Sequence, residues 1–574
     1  MDCRTRIMSN NYADFIVDFD LDTERLENTA GDFCFYQIED NLRIFYANRN
    51  ELPNLSVSDY RYLYLPVCYG LMQTGETVLG RGFNTLALEE TGILRIQREP
   101  LALTGLGCVL VCIDSGIDYT NRVFRREDGS SRILAIWDQE DQSGVAPEGF
   151  LYGSEYSKEQ IEEALLSDNP YELVPVRDVA GRHGTALASI AAGSNVEEGT
   201  VFLGAAPDSD IVVVKLKQAK QYLRDYYLIP ENAMCYQEND ILTALKYALR
   251  YVIPLSRPVC ICLGVGTSYG DHAGNSLLER YINRLNTIRN VAVVLPAGNE
   301  GNAGHHYRAS FTAEEYGTKK SAELRVDEGN KGFLAEIWGS VPSFFQISLR
   351  SPGGEEIRDI SFRLDTTRVY DFIYSDTRVT VDALLVEQIS GQQLVVMRFE
   401  NPTPGIWTIT IQQDSADVPA VCDMWLPIQQ FLSADTYFLE PSPYITLTMP
   451  ATASSAMCVS AYNAENGGFF QESGRGFTRS QIIKPDLTAP GVNVASVIGA
   501  MSGTGVSAAL TAGAVLQLLQ WAVVEGKRPL LNGVEIKNYL IRGAVREQRE
   551  IWPNRELGFG KLNIYETFEE LRKV

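Results

Sequence analysis

Histidine is scarce in this chain, with four residues in 574. Basic charge is short as well. Fifty lysines and arginines face 73 aspartates and glutamates, for a net charge of −23. That deficit argues against a nucleic-acid partner, because phosphate binding needs a basic patch. Long hydrophobic runs are missing. The apolar stretches are as short as residues 109–113 and 291–295 and are bounded by turn residues, so no membrane span is expected. The opening MDCRTRIMSNNYADFIVDFD holds no apolar core of a secretory signal, which predicts intracellular synthesis. No repeat and no low-complexity segment is present, excluding solenoid and fibrous architectures.

The ten cysteines do not make up for the missing histidines. Cys108 and Cys112 lie in GCVLVCID, and Cys260 and Cys262 in VCICLG. Thiols inside apolar runs read as buried small hydrophobes. No histidine stands at ligand spacing to them, so zinc is not expected. No aspartate-rich loop has calcium spacing either. The chain is therefore expected to carry no metal and no cofactor, and its thiols are expected to be reduced.

What remains is ordinary globular composition, 45% hydrophobic and 21% charged, in a chain long enough for two to four domains. Residues 1–75 contain alternating apolar stretches, ADFIVDFD and NLRIFYANR, and end in YLYLPVCYGLM. They read as a small α+β unit followed by a polar connector, QTGETVLG. From about residue 104 strands and helices alternate: GCVLVCID, IVVVKLK, the helical DILTALKYALRYV, RPVCICLG, SLLERYINRLN and VAVVLPAGN. This is the signature of a doubly wound parallel sheet, an α/β fold. Between about 308 and 440 short alternating runs such as AELRV, FLAEIW and IWTITIQ are separated by SPGGEE and NPTPG, which predicts an inserted antiparallel β sandwich. The α/β pattern then resumes over 441–574 with AMCVSAY and SAALTAGAVLQLLQWAVV.

Three segments carry the chemistry. Asp114 closes an apolar strand in VCIDSGID, at the sheet rim where such folds place their sites. His183 opens a helix of small residues in GRHGTALASIAAG. A third segment, AMSGTGVSAALTAG, opens another small-residue helix at Thr504 and Gly505. Its unpaired N–H groups and positive dipole end suit a developing oxyanion. Asn299, on the turn PAGNEG after a strand, is placed to donate to the same oxyanion. His305 and His306 sit in a polar turn and read as exposed.

The order Asp, His, Asn, then a Gly-Thr-x helix start resembles the subtilisin-like serine peptidases, the subtilases of the S8 family. LGAAPDSDIVVVKLK, CLG and KPDLTAPGVNV agree with it, and the match covers about 104–305 and 440–565. The resemblance implies that Asp114 orients the imidazole, His183 is the general base and Asn299 the oxyanion donor. Leu263, Gly264, Ala297 and Gly298 would border the substrate cleft. The insertion after AGNEGN, the separate N-terminal unit, ITLTMPATASSAMCVSAYN and GRGFTR resemble one subgroup, the Csp germination proteases of spore-forming clostridia. In that group residues 1–75 would be a prodomain, 76–307 and 441–574 the subtilase domain, and 308–440 a jelly roll. An active member cleaves the precursor of a cortex-lytic enzyme; other members have lost catalytic residues and regulate germination.

This sequence departs from the family at one position. The family motif is Gly-Thr-Ser; here it is Gly503-Thr504-Gly505. Glycine offers no nucleophile, and in subtilisin loss of the serine costs about 2 × 10⁶ in kcat. Ser507 lies about 200° further round the helix, and Ser502 precedes it. Two origins fit Gly505, natural loss or an engineered inactive form; alanine being the usual engineered choice favours the first. The expected protein is thus a pseudoprotease regulating germination through partner proteins, other germination proteases or a small germinant, packaged in the spore. An active endopeptidase acting on a cortex-lytic precursor is the alternative, and a structural role unrelated to spores a third reading. Without self-cleavage the prodomain is expected to stay attached, with Tyr69, Gly70, Leu71, Met72 and Gln73 lying in the substrate cleft.

Overall fold

A computed structural model describes residues 2–573 other than 19–30, 53, 61, 73, 79–84, 179–180, 198–199, 253, 255–256, 316, 361–364 and 415–417. Its centre is an eight-stranded sheet. The strand order is Leu487–Pro490, Met457–Tyr462, Val291–Pro296, Val259–Leu263, Val109–Asp114, Asp210–Lys215, Ile133–Asp138 and Ser154–Ser157. Every neighbouring pair is parallel except the last, Ile133–Asp138 with Ser154–Ser157. The inner strands are buried along their whole length, which is why they read as continuous apolar runs rather than alternating ones. Each fully buried valine, leucine or isoleucine there contributes about 1.5–3 kcal/mol.

Val109–Asp114 lies between Val259–Leu263 and Asp210–Lys215. Chain order reverses at that point, so the carboxyl end of the strand opens on a crevice. Asp114 occupies that end. Two small-residue helices pack behind it, His183–Ala192 and Thr504–Leu519, both buried at every residue. Small side chains let them cross closely: a methyl on Gly513 would stand 2.8 Å from the Ala191 carbonyl oxygen and 3.1 Å from the Ala205 Cα. The second helix continues through a π turn, Gln520–Val524. Contrary to the expectation from run lengths, Thr504–Val524 is long and apolar enough to cross a membrane; 89% of its apolar window is buried inside the protein, as befits a core helix.

The N-terminal residues form a helix, Cys3–Met8, and an antiparallel sheet ordered Tyr12–Asp18, Leu42–Asn48, Phe33–Glu39. The unit docks through buried polar groups. Lys220 donates to the carbonyls of Arg6 and Tyr12, each at 3.2 Å, and pairs with Asp14 at 2.5 Å. Gln237 donates to the other Asp14 oxygen at 2.6 Å. Cys3 and Cys34 form a disulfide across this unit, which corrects the expectation of uniformly reduced thiols. These two cysteines lie nearer the surface, whereas the other eight are free and buried.

Residues 306–438 form two antiparallel sheets. The six-stranded one is ordered His306–Phe311, Ala420–Trp425, Gly332–Gly339, Gln393–Glu400, Arg378–Leu384, Thr366–Asp371. The five-stranded one is ordered Glu356–Ile360, Phe345–Arg350, Gly405–Gln413, Lys319–Val326, Thr436–Phe438. Alternate residues of both sheets enclose a separate apolar core around Trp407 and Phe399. The architecture is thus α/β with a central sheet of mostly parallel strands and separate antiparallel sheets.

Candidate functional site

Asp114 and His183 meet at the crevice. The His183 Nδ1 lies 2.7 Å from Asp114 Oδ1, and both side chains are buried. Asp114 Oδ1 also accepts from the Ser115 N–H at 2.7 Å. Burial works against the imidazolium, but the charge and hydrogen bond of Asp114 outweigh it, and the His183 pKa is raised. Gly264 covers the pair. A methyl there would run into the Asp114 carboxylate and stand 3.2 Å from His183 Cε1.

A second carboxylate lies beneath the first. Asp178 accepts from Thr185 N–H at 2.8 Å and Thr185 Oγ1 at 2.7 Å, fastening the first turn of the His183 helix. Its other oxygen accepts from Ser115 Oγ at 2.8 Å. Burial raises its pKa against these bonds. The sequence reading passed over Asp178, which stands five residues before His183 in a stretch without periodicity.

The third segment closes the site. Gly503, at φ 135°, caps the helix Thr504–Leu519 in a conformation suited to glycine. Asn299 Oδ1 accepts from Thr504 N–H and Oγ1, both at 3.0 Å, so its amide nitrogen points away. That Nδ2 and the Nε2 of His183 are buried and have no hydrogen-bond partner. Such orphaned polar atoms are rare in protein interiors and mark places where a ligand or reacting group is accommodated. The carbonyl oxygen of Met72 lies 2.7 Å from where a Cβ on Gly505 would stand, and His183 Nε2 3.6 Å from it.

Met72 arrives there on an extended segment. Cys68–Leu71 pairs antiparallel with Tyr236–Gln237 on one side and with Val265–Gly266 on the other. Met72 N–H donates to Gly264 O at 3.0 Å. Its sulfur accepts from Thr448 Oγ1 at 3.7 Å, and a methyl on Gly266 would meet that sulfur at 2.9 Å. Gln73 lies outside the described residues. Beyond it Thr74–Val78, expected as a connector, is a strand paired with Gly499–Ser502. The described residues on either side of position 73 are thus paired with the framework, 68–71 in the crevice and 74–78 beyond it.

Other expected residues sort differently. Leu263 is buried in the same apolar cluster as Tyr69, Leu71 and Met72. Ala297 packs its side chain in a small interior cluster with Leu447 and Ala451, and its carbonyl accepts from the Thr448 N–H at 3.0 Å. Gly298, at φ 92°, lies against Thr448, which in turn touches Met72. Ser507 donates to the carbonyls of Ala489 and Pro490, and Ser502 Oγ accepts from Asn493 N–H; both are committed elsewhere. His305 and His306, expected to be exposed, are buried. His305 Nδ1 lies 2.6 Å from Glu300 Oε2, while His306 stacks on Trp425 and reaches Asp423. Their polar sequence neighbours concealed this, because the burying surface comes from strands more than a hundred residues downstream. Among the described residues no cluster of three or more His, Cys, Asp or Glu is arranged to hold a metal ion.

An Asp–His pair at the switch point of a mostly parallel sheet, facing the start of a buried helix, defines a subtilisin-like framework. Residues 443–560 match the model of the subtilase family, Peptidase_S8. No curated protein sequence matches the chain significantly. Among solved structures the chain is similar to the CspB protease of Clostridium perfringens, at 29% identity, over 85% of this chain and 99% of that one, with a TM-score of 0.75. It also aligns with MycP1 from Mycobacterium smegmatis (14% identity, 87% of this chain and 88% of that one, TM-score 0.39). The leader-peptide processing protease EpiP of Staphylococcus aureus aligns at 11% identity over 98% of this chain and 99% of that one, TM-score 0.43.

Proposed function

We propose that this chain is a non-catalytic protein of the Csp germination type, which keeps its N-terminal unit as an uncut prodomain and regulates spore germination by binding. One observation carries the reading: position 505, where the nucleophile belongs, is glycine, and the Met72 carbonyl oxygen is 2.7 Å from where its Cβ would stand. His183 then has no hydroxyl to deprotonate, and the neighbouring serines are bonded to other groups. The likeness to a clostridial CspB protease supports the subgroup. Partner proteins of the same germination machinery, or a small germinant, are the proposed ligands, and packaging in the spore the proposed location.

A fluorophosphonate probe tests the inactivity, since it labels only an activated serine. The expected result is an unlabelled chain of full intact mass. Labelling, or a fragment ending at Met72 in the purified chain, would refute the reading and favour an active endopeptidase that cuts a cortex-lytic enzyme precursor. Pull-down from spore lysate tests the germination assignment. Recovery of a germination protein is expected; recovery of none counts for a role outside germination.

A further inference from the structure

The strand Ala420–Trp425 leaves the six-stranded sheet and runs into a short helix, Gln429–Phe431, that lies over the crevice. This crossing segment is firmly held. Ile428 and Phe431 are fully buried. The Leu426 N–H donates to His305 O at 2.9 Å. The Gln429 N–H donates to Glu300 Oε1 at 3.1 Å, and the other Glu300 oxygen pairs with His305. Upstream, Trp425 is clasped between the rings of His272 and His306, with centroids at 4.1 and 4.7 Å. The two histidines beside the start of the insertion thus anchor a piece of the antiparallel sheets above the site.

That piece touches the extended chain at two points. Gln430 Nε2 donates to the Leu71 carbonyl at 2.8 Å. Gly70, one residue earlier, lies tightly beneath it: a methyl there would meet Gln430 Cδ at 2.5 Å and Ile428 Cδ1 at 2.7 Å, so a larger residue must displace the fully buried Ile428 and the Gln430 side chain that is bonded to Leu71. Its backbone is not in the left-handed region, so the preference for glycine is steric and comes from the segment above.

We propose that Ile428 and Gln430 form a specificity-determining roof, which favours an extended peptide with glycine two residues before the one whose carbonyl faces His183. The proposal rests on the reading that the chain's own Cys68–Leu71 strand stays in the crevice. It adds the class of peptide that fits. Position 70 favours glycine, and position 72 takes a long unbranched side chain, which passes between Gly266 and Thr448. A protein competing for this crevice would present an exposed extended Gly-x-Met segment.

Hydrogen exchange read by mass spectrometry over residues 67–72 of the full-length chain tests this. In the parent these amides are expected to be protected. Gly70→Val should raise their exchange about tenfold or more, and Gly70→Val with Gln430→Gly should lower it again by about threefold or more, short of the parent because the Ile428 contact remains. Exchange in Val109–Asp114 should stay unchanged throughout, separating local release from unfolding. Where valine prevents folding, Gly70→Ala with the same partner serves, with a smaller rise and the same rescue. A single variant as protected as the parent, or a double variant as exposed as the single, overturns the roof while leaving the docked strand intact. Free exchange in the parent itself overturns the docked strand and the roof with it.

Discussion

At the residue scale, Gly505 governs the site through a missing atom. The space a nucleophile would need is entered by the Met72 carbonyl, 2.7 Å from the place of a Cβ. A serine there must push that carbonyl back, and backbone yields less readily than a side-chain end. Gly505→Ser is therefore expected to restore self-cleavage after Met72, but slowly, giving two bands on a denaturing gel; adding His183→Ala should abolish them. An unchanged single band would mean that His183 and Asn299 no longer support acylation. Gly505→Ala, which adds the clash without chemistry, is expected to destabilise the docked segment by about 1–3 kcal/mol in denaturant melts. Gly264→Ala should cost at least as much, roughly 1–3 kcal/mol or more, since its methyl forces Asp114 and His183 apart.

At the scale of elements, the two small-residue helices set how closely the catalytic framework closes. Gly513→Ala removes about 1 kcal/mol of unfavourable helix propensity, yet its methyl meets the Ala191 carbonyl. Net destabilisation of roughly 1–3 kcal/mol by urea unfolding is expected; a more stable variant would show that the crossing is looser. These elements were legible because their signals are local. Val109–Asp114 and Val291–Pro296 are buried on both faces and so read as unbroken apolar runs. The Asp114 and His183 motifs likewise sit at the ends of elements that their own residues define. Asp178, Thr448 and Gln430 gave no such signal. Each gains its place at the site only through contacts made by distant chain. The Cys3–Cys34 pairing was missed for the same reason, since composition reports how many thiols there are and not which ones meet.

At the scale of the whole molecule, three buried glutamates tie the parts together without a basic partner in their hydrogen bonds. Glu336, on the antiparallel sheets, accepts from Tyr62 of the N-terminal unit and from Gly270 of the central framework. Glu238 accepts from Val67 and Leu278, and Glu279 from Ser276 and Thr452. Burial pushes each of the three up to about 7. A carboxyl whose folded pKa is raised binds its proton more tightly in the folded state, so its contribution is present below the unfolded value and lost as pH rises. Stability is therefore expected to fall between about pH 4.5 and about pH 7 and then level off, by roughly 1–3 kcal/mol per group. Glu336→Gln should flatten that decline in denaturant melts taken at several pH values; an unchanged slope would assign it to other groups.

With residues 68–72 in the crevice and 74–78 paired beyond it, the protein is its own competitor. A segment tethered on both sides behaves as a ligand at an effective concentration on the order of millimolar. A free peptide of equal intrinsic affinity must exceed that concentration before it occupies half of the crevices. Occupancy from outside is thus set less by the strength of a newcomer's contacts than by whatever cuts or lifts the tether, and proteolysis within residues 74–78 is expected to open the crevice to an outside peptide.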